Sequence, residues 1–476
     1  MRITGAFLIV SLMFVSSALA DDPPRPTHAG ELQLDEVDFK PVQGDAVKAD
    51  WGEIAVPELH GSNSDRVLRL TLVRFRSTAK EPGAPIVYLE GGPGVSGTNS
   101  AFGFLFPVIQ QLRAVADVVV IDQRGSGRSE PPTSCDARVI DFLGDDLSEA
   151  AMKKTATGTA LACAKKLEAA GTNLQSLTTD ETADDLETLR VALKVKRINL
   201  LSFSYGTHAA AAFARRHPES LERIVLAGPA LPDELLKLPS EQEAHAAYVA
   251  SLAGKDLLRL MRKVHTSLDR KPITLELQDP AIKSIRKVTL HGYALQWLTA
   301  SALGKREFVA ALPLLYTQIA RGDTTLLRDF ASSVFFGRAP RATNFLVRCA
   351  AIPSAKQLAR VRRERSGALL SDAINFPEPE LCHSLPHGTT DLHRPFKFTR
   401  PALVVVGMLD ANAPPVRASQ LRRWFPNSAA LKVENAGHND LLTYRDVRKH
   451  IALFFAGLPI TDERVASEPL AFLPVP

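Results

Sequence analysis

Ser204, Asp410 and His438 stand where a hydroxyl, a carboxylate and an imidazole could work as one unit. The stretch from Arg197 to Phe213 reads as an apolar strand, Ile198 to Leu201, then a turn, then an alanine-rich helix from about Tyr205. A serine on so tight a strand-to-helix turn exposes its hydroxyl, and the next backbone N–H can face a developing oxyanion. Asp410 follows the apolar run Pro401 to Gly407, and His438 follows Ala429 to Val433 by way of Asn435-Ala436-Gly437. Attack by serine near neutral pH needs a histidine that takes the proton and returns it to the leaving group. It also needs a carboxylate that fixes the histidine's tautomer and stabilises its charged form. His438 competes with eleven other histidines. His208 falls in the helix after Ser204, and His383, His387 and His393 fall in a helical region, without the strand-then-glycine setting.

Those three groups need a sheet to hold them. Pro85 to Leu89 is an apolar strand running into Glu90-Gly91-Gly92-Pro93-Gly94-Val95-Ser96-Gly97, a loop that can aim backbone N–H groups inward. Asp117 to Ile121 is a second buried strand, ending in Asp122-Gln-Arg-Gly-Ser-Gly-Arg-Ser129. Helical pattern fills 147–170 and 178–193, and Ile224 to Ala227 is the strand after the Ser204 helix. Strand–helix alternation predicts an α/β fold with a mostly parallel, doubly wound sheet. From about Gly228 to His393 helical periodicity takes over, which predicts an inserted, mainly helical cap. The predicted organisation is a signal peptide over 1–20, an N-terminal leader with little regular structure over 21–50 and a first core segment over 51–230. The cap over 231–395, a second core segment over 396–460 and a tail over 461–476 complete it.

Met1-Arg2, the apolar run Ala6 to Val15 and Ala18-Leu19-Ala20 have the pattern of a cleaved export signal, too short for a permanent membrane anchor. The expected location is periplasmic or extracellular, after cleavage near Ala20. Apolar content of 45% and charged content of 23% fit a globular chain. A net charge of +5 is mild for 476 residues, and the basic run Arg360 to Arg365 reads as a solvated helix face, so nucleic acid is not an expected partner. Four cysteines form an even set, which in an exported chain suits disulfides; their order suggests Cys135 with Cys163 and Cys349 with Cys382. No spacing argues for a metal, and no cofactor is expected. Ser77-Thr-Ala-Lys80 matches S-x-x-K by chance, because a turn follows where that motif needs a helix.

The chain resembles the proline iminopeptidase and tripeptidyl aminopeptidase group of α/β-hydrolases. The resemblance rests on Gly91-Gly92-Pro93-Gly94, Asp122 to Ser129, Ser204-Tyr205-Gly206-Thr207, Asp410 and Gly437-His438. The stretches Thr178 to Arg190 and Leu312 to Asp323 add to it. It implies an α/β-hydrolase fold, a triad in the order Ser204, Asp410, His438, and an oxyanion hole from the N–H groups of Gly92 and Tyr205. It also implies a cis peptide at Gly92-Pro93, and cap carboxylates that hold a substrate's free amine, with Asp233, Glu234, Glu241, Glu243 and Asp323 in reach. Two residues depart from the pattern. Glu90 puts a carboxylate beside the oxyanion loop, and Ser202 replaces the first glycine of G-x-S-x-G.

The expected activity is that of an exported serine aminopeptidase acting on short peptides through an acyl-enzyme on Ser204. An esterase or amide hydrolase of small non-peptide substrates would use the same triad, and a non-catalytic binding protein of the same fold is the third reading.

Overall fold

Short runs of β-branched residues make the middle of the molecule. Val118 to Ile121 and Leu403 to Val406 are at most 2% exposed, and stiff branched side chains suit strands covered on both faces. The computed structural model describes residues 25–475, apart from 233–235, 255, 352 and 392. The export signal expected over 1–20 therefore lies outside the described residues.

One sheet has ten strands: β1 (Leu32–Phe39), β2 (Val47–Pro57), β3 (Val67–Phe75), β4 (Ile86–Leu89), β5 (Val118–Ile121), β7 (Ile198–Phe203), β8 (Leu221–Ala227), β11 (Ala402–Gly407), β12 (Ser428–Val433) and β13 (Glu463–Val465). Their spatial order is β1-β2-β3-β5-β4-β7-β8-β11-β12-β13. The first three are antiparallel neighbours, β3 meets β5 antiparallel, and every later pairing is parallel.

Helices cover both faces. On one, α5 (Thr179–Ala192), α6 (Gly206–Arg216) and α14 (Arg417–Gln420) pack with Val87, Leu89, Val119 and Ile121. On the other, α1 (Gly97–Phe102), α2 (Phe106–Leu112) and α15 (Arg445–Phe455) pack with Ile86, Tyr88, Val118 and Val120. Alternate residues of one strand thus feed opposite layers, as the period of two requires.

The region over 231–395 is mainly helical, with α7 (Pro239–Ala253), α8 (Leu257–Arg270), α9 (Gly292–Ala302), α10 (Arg306–Ala320), α11 (Thr325–Phe335), α12 (Ala342–Ala350) and α13 (Ala355–Arg365). It also holds a hairpin, β9 (Ile273–Gln278) with β10 (Ile285–Leu290), joined in parallel by the short β6 (Asp146–Leu147). The hydrophobic cluster inside this cap is not closed within 231–395. It takes in Ile140 and Phe142 of α3 (Val139–Leu143), and Met152, Cys163 and Leu167 of α4 (Glu149–Ala169). Disulfides Cys135–Cys163 and Cys349–Cys382 both form, and all four cysteines belong to or border that cluster.

The leader differs from expectation. Residues 32–39 and 47–50 belong to the β1–β2 hairpin at the sheet's edge instead of irregular chain, and β2 runs on through Trp51 to Val56, where a first strand is expected. Leu32-Gln-Leu-Asp-Glu-Val-Asp-Phe39 alternates only loosely, because charged residues occupy the exposed side of an edge strand.

Candidate active site

The turn after β7 is built for close approach. Ser204 has φ +53°, a left-handed conformation that a serine adopts only where the surroundings impose it. Its N–H donates to the Ala227 carbonyl of β8, at 2.9 Å, and its own carbonyl accepts from Thr207. Gly206 is required at the start of α6, since a Cβ there would come within 2.3 Å of the Leu89 carbonyl oxygen. Ser202 takes the place of the usual glycine at no cost in polar partners: it is fully buried and its Oγ donates to the Val225 carbonyl at 2.7 Å.

Three strand ends bring the three side chains together. His438 Nε2 lies 2.8 Å from Ser204 Oγ, and His438 Nδ1 lies 2.7 Å from Asp410 Oδ2. A carboxylate only accepts, so Nδ1 carries the proton and Nε2 is left as the acceptor for the serine hydroxyl. The other oxygen, Asp410 Oδ1, accepts from the N–H groups of Asn412 and Ala413, both at 2.8 Å. Asp410 is 0% and His438 6% exposed, so the pair is shielded from water. Phe203 flanks the imidazole, with ring centroids 5.0 Å apart. The cap reaches this site directly: the His438 N–H donates to the Gly304 carbonyl, at 2.7 Å, from the turn between α9 and α10.

The glycine-rich loop passes beside the serine, and a Cβ on Gly91 would come within 2.8 Å of Ser204 Cβ. The Gly92-Pro93 peptide is cis. The N–H groups of Gly92 and Tyr205 donate to no acceptor among the described residues, which leaves them available to an anion. Glu90 does not face that space. Its Oε1 accepts from the Gly91 N–H, and Oε2 accepts from Ser100 Oγ at 2.5 Å and from Tyr88 OH at 3.1 Å. Burial raises the Glu90 carboxyl above the ordinary carboxylate range, against the lowering effect of those donors.

The Asp122 to Ser129 motif supports the loop from below. Asp122 accepts from Ser96 Oγ, from the N–H and hydroxyl of Thr98, and from the Arg128 N–H. Gln123 Nε2 donates to the Glu90 carbonyl. Arg124, 1% exposed, grips Asp185 of α5 through two hydrogen bonds and also donates to the carbonyls of Glu58 and Ser176. These residues brace the site and touch neither Ser204 nor His438.

Of the other histidines, His208 is buried on α6 with both ring nitrogens unpaired. Burial, then Arg417, Arg348 and Arg215, push its pKa down to about 3, so it stays neutral. Among the described residues, the cap carboxylates considered from the sequence are engaged. Glu241 pairs with Arg417 at 2.9 Å, Glu243 pairs with Arg262 and accepts the Leu369 N–H, and Asp323 accepts the Thr325 N–H. Asp233 and Glu234 lie outside the described residues.

A parallel sheet whose strand ends carry a serine on a left-handed turn, an imidazole and a buried carboxylate defines a hydrolase of the α/β class. Residues 84–443 match the family described as alpha/beta hydrolase fold, and the chain belongs to that family. It is 25% identical over 399 residues to a putative hydrolase, YuaR, of Escherichia coli, covering 78% of this chain and 77% of that one. It is 27% identical over 237 residues to the serine protease Hip1 of Mycobacterium tuberculosis, covering 46% of this chain and 45% of Hip1. With a tripeptidyl aminopeptidase of Streptomyces lividans it shares 29% identity over 204 residues, covering 37% of this chain and 36% of that enzyme. The last two alignments span less than half of each relative's length.

Proposed function

We propose that this chain is an exported serine hydrolase that cleaves the amide bond of short peptides from their free amino end. The observation that carries the reading is the continuous Ser204–His438–Asp410 hydrogen-bonded line. Ser204 Oγ attacks the scissile carbonyl carbon as its proton passes to His438 Nε2, and the carbonyl electron pair becomes an oxyanion beside the Gly92 and Tyr205 N–H groups. Collapse breaks the C–N bond, the leaving amine takes the proton from Nε2, and an ester to Ser204 remains. Water then attacks that ester, gives a proton to Nε2, and releases the acid as Ser204 regains its hydrogen. Asp410 holds the Nδ1 proton throughout and stabilises the imidazolium.

Relatives named as a serine protease and a tripeptidyl aminopeptidase support the peptidase reading. Two disulfides, one within the cap and one joining Cys135 to Cys163 in the segment that packs against it, support an oxidising location, periplasmic or extracellular. One observation favours a second reading, an esterase or amide hydrolase of small substrates: Glu241 and Glu243 are held in ion pairs and not left for an amine.

Release of the anilide from matched peptides, one with a free amino terminus and one acetylated, separates the two. Wild type should cleave only the free-amine peptide, and Ser204→Ala should cleave neither. Equal cleavage of both peptides would leave a hydrolase without amine recognition, and loss of neither activity in Ser204→Ala would remove Ser204 from the mechanism.

A further inference from the structure

Lys237 lies between β8 and α7, on the cap side of the seam, with its side chain partly buried. One side chain fixes its backbone in both directions. The Lys237 N–H donates to Asn375 Oδ1 and its carbonyl accepts from Asn375 Nδ2, both at 2.8 Å. The ammonium then donates to Asn412 Oδ1 at 2.9 Å. Asn412 stands two residues past Asp410 and gives its own N–H to Asp410 Oδ1 at 2.8 Å. A single asparagine thus joins a cap lysine to the carboxylate that holds His438.

The charged surroundings of Lys237 come from several elements. Arg417 of α14 and Arg348 of α12 face it, as do Asp410, Glu241 of α7 and Glu378. Arg417 is paired with Glu241 and Arg348 with Glu378, at 2.9 and 2.8 Å. Asp410 is occupied by His438 and two backbone N–H groups, so the lysine's hydrogen-bond partner is a neutral amide. Burial, then Arg417 and Arg348, bring Lys237 down to about 7, with Asp410 and Glu241 acting in the opposite sense. Lys237 therefore changes charge near pH 7, and its amine can donate to Asn412 Oδ1 in either form.

We propose that Lys237 is a positioning residue for the triad: it holds the Asp410 loop in place through Asn412. The proposal rests on Ser204, His438 and Asp410 being the catalytic set. Asp410 must hold His438 in line with Ser204 for the proton to pass, so a shift of its loop costs rate. The cap then contributes to catalysis as well as covering it.

The test is the steady-state rate of the full chain with p-nitrophenyl acetate, an ester that needs no recognition by the cap. Lys237→Met should lower kcat about ten-fold, with KM within about two-fold of wild type. Lys237→Arg keeps a donor for Asn412 and should recover most of the lost kcat. Asn412→Leu keeps the lysine and removes the bridge, so kcat should fall about as far. A wild-type kcat in Lys237→Met would overturn the proposal, and so would a kcat loss in Lys237→Arg as large as in Lys237→Met. If Lys237→Met fails to fold, a wild-type kcat in a folded Asn412→Leu overturns it alone. Wild type and Ser204→Ala run alongside: turnover that does not depend on Ser204 would instead sink the catalytic reading.

Discussion

The carbonyl oxygen of Gly304 accepts the backbone N–H of His438 at 2.7 Å, so a turn of the cap ends on the loop that presents the imidazole. A Cβ at residue 304 would come within 2.5 Å of Asn412 Nδ2 and 3.1 Å of His438 Cβ. Gly304→Ala should displace one of these loops. Because a misplacement of about 1 Å can cost roughly 100-fold, a loss of ten- to 100-fold in kcat is expected, with the melting temperature little changed. Steady-state rates beside a thermal melt check this, and an unchanged kcat would mean that the cap turn gives way without moving His438.

Glu90 stabilises its loop and leaves the oxyanion space alone. Glu90→Ala strips the partner from Ser100 Oγ, the Gly91 N–H and Tyr88 OH, three buried or partly buried donors. An unsatisfied buried donor costs about 1–3 kcal/mol, so the urea midpoint should drop accordingly. The variant should not exceed wild type in kcat. A faster Glu90→Ala enzyme would show that the carboxylate opposes the developing anion after all.

Asp184 supplies a pH-dependent term far from the site. Burial alone would raise its carboxyl, but hydrogen bonds from His217 and Arg216 prevail and hold it at about 2. Its pKa is thus below the unfolded value of 3.8, so the stabilisation is complete above about pH 4 and fades as pH falls toward 2. Allowing for solvent screening, it is on the order of 1 kcal/mol. Asp184→Asn should melt lower than wild type at pH 7, and the gap should close on acidification toward pH 2. A gap that is constant with pH would assign the loss to packing instead.

The two disulfides close loops with sequence separations of 28 and 33 residues. By loop entropy each contributes roughly 3–4 kcal/mol. Reduction should therefore bring unfolding of the cap to lower urea than unfolding of the sheet, turning one transition into two. Tryptophan fluorescence and far-ultraviolet circular dichroism, followed with and without dithiothreitol, would separate them. Coincident transitions after reduction would mean that cap and sheet unfold together.

Much of the site was readable because a strand end is written compactly. Val118 to Ile121 and Leu403 to Val406 are apolar on both faces, so their ends announce Asp122 and Asp410, and Ser204 sits between strand and helix patterns. The cysteine order also gave the pairing that forms. Edge and cap strands were harder. Ile273-Thr-Leu-Glu-Leu-Gln278 does alternate, with Leu275 and Leu277 buried, but it lies within a helical region where that short signal is overruled. Lys237 had no local signal. Its place beside Asn412 depends on chain folding back over a sequence separation of 175, and no spacing rule carries that distance.

The participation of α4 in the interior of the cap bears on how such a protein can change. Met152, Cys163 and Leu167 precede the Ser204 turn, yet they form one wall of the cluster that α8 to α12 complete. A cassette cut at 231 and 395 and moved into a relative would arrive without that wall, and the Cys135–Cys163 disulfide that ties α4 down would stay behind with the parent chain. New substrate preference in this lineage is then more readily reached by substitutions along the seam than by trading caps whole, because the unit of exchange is written in two separate parts of the chain.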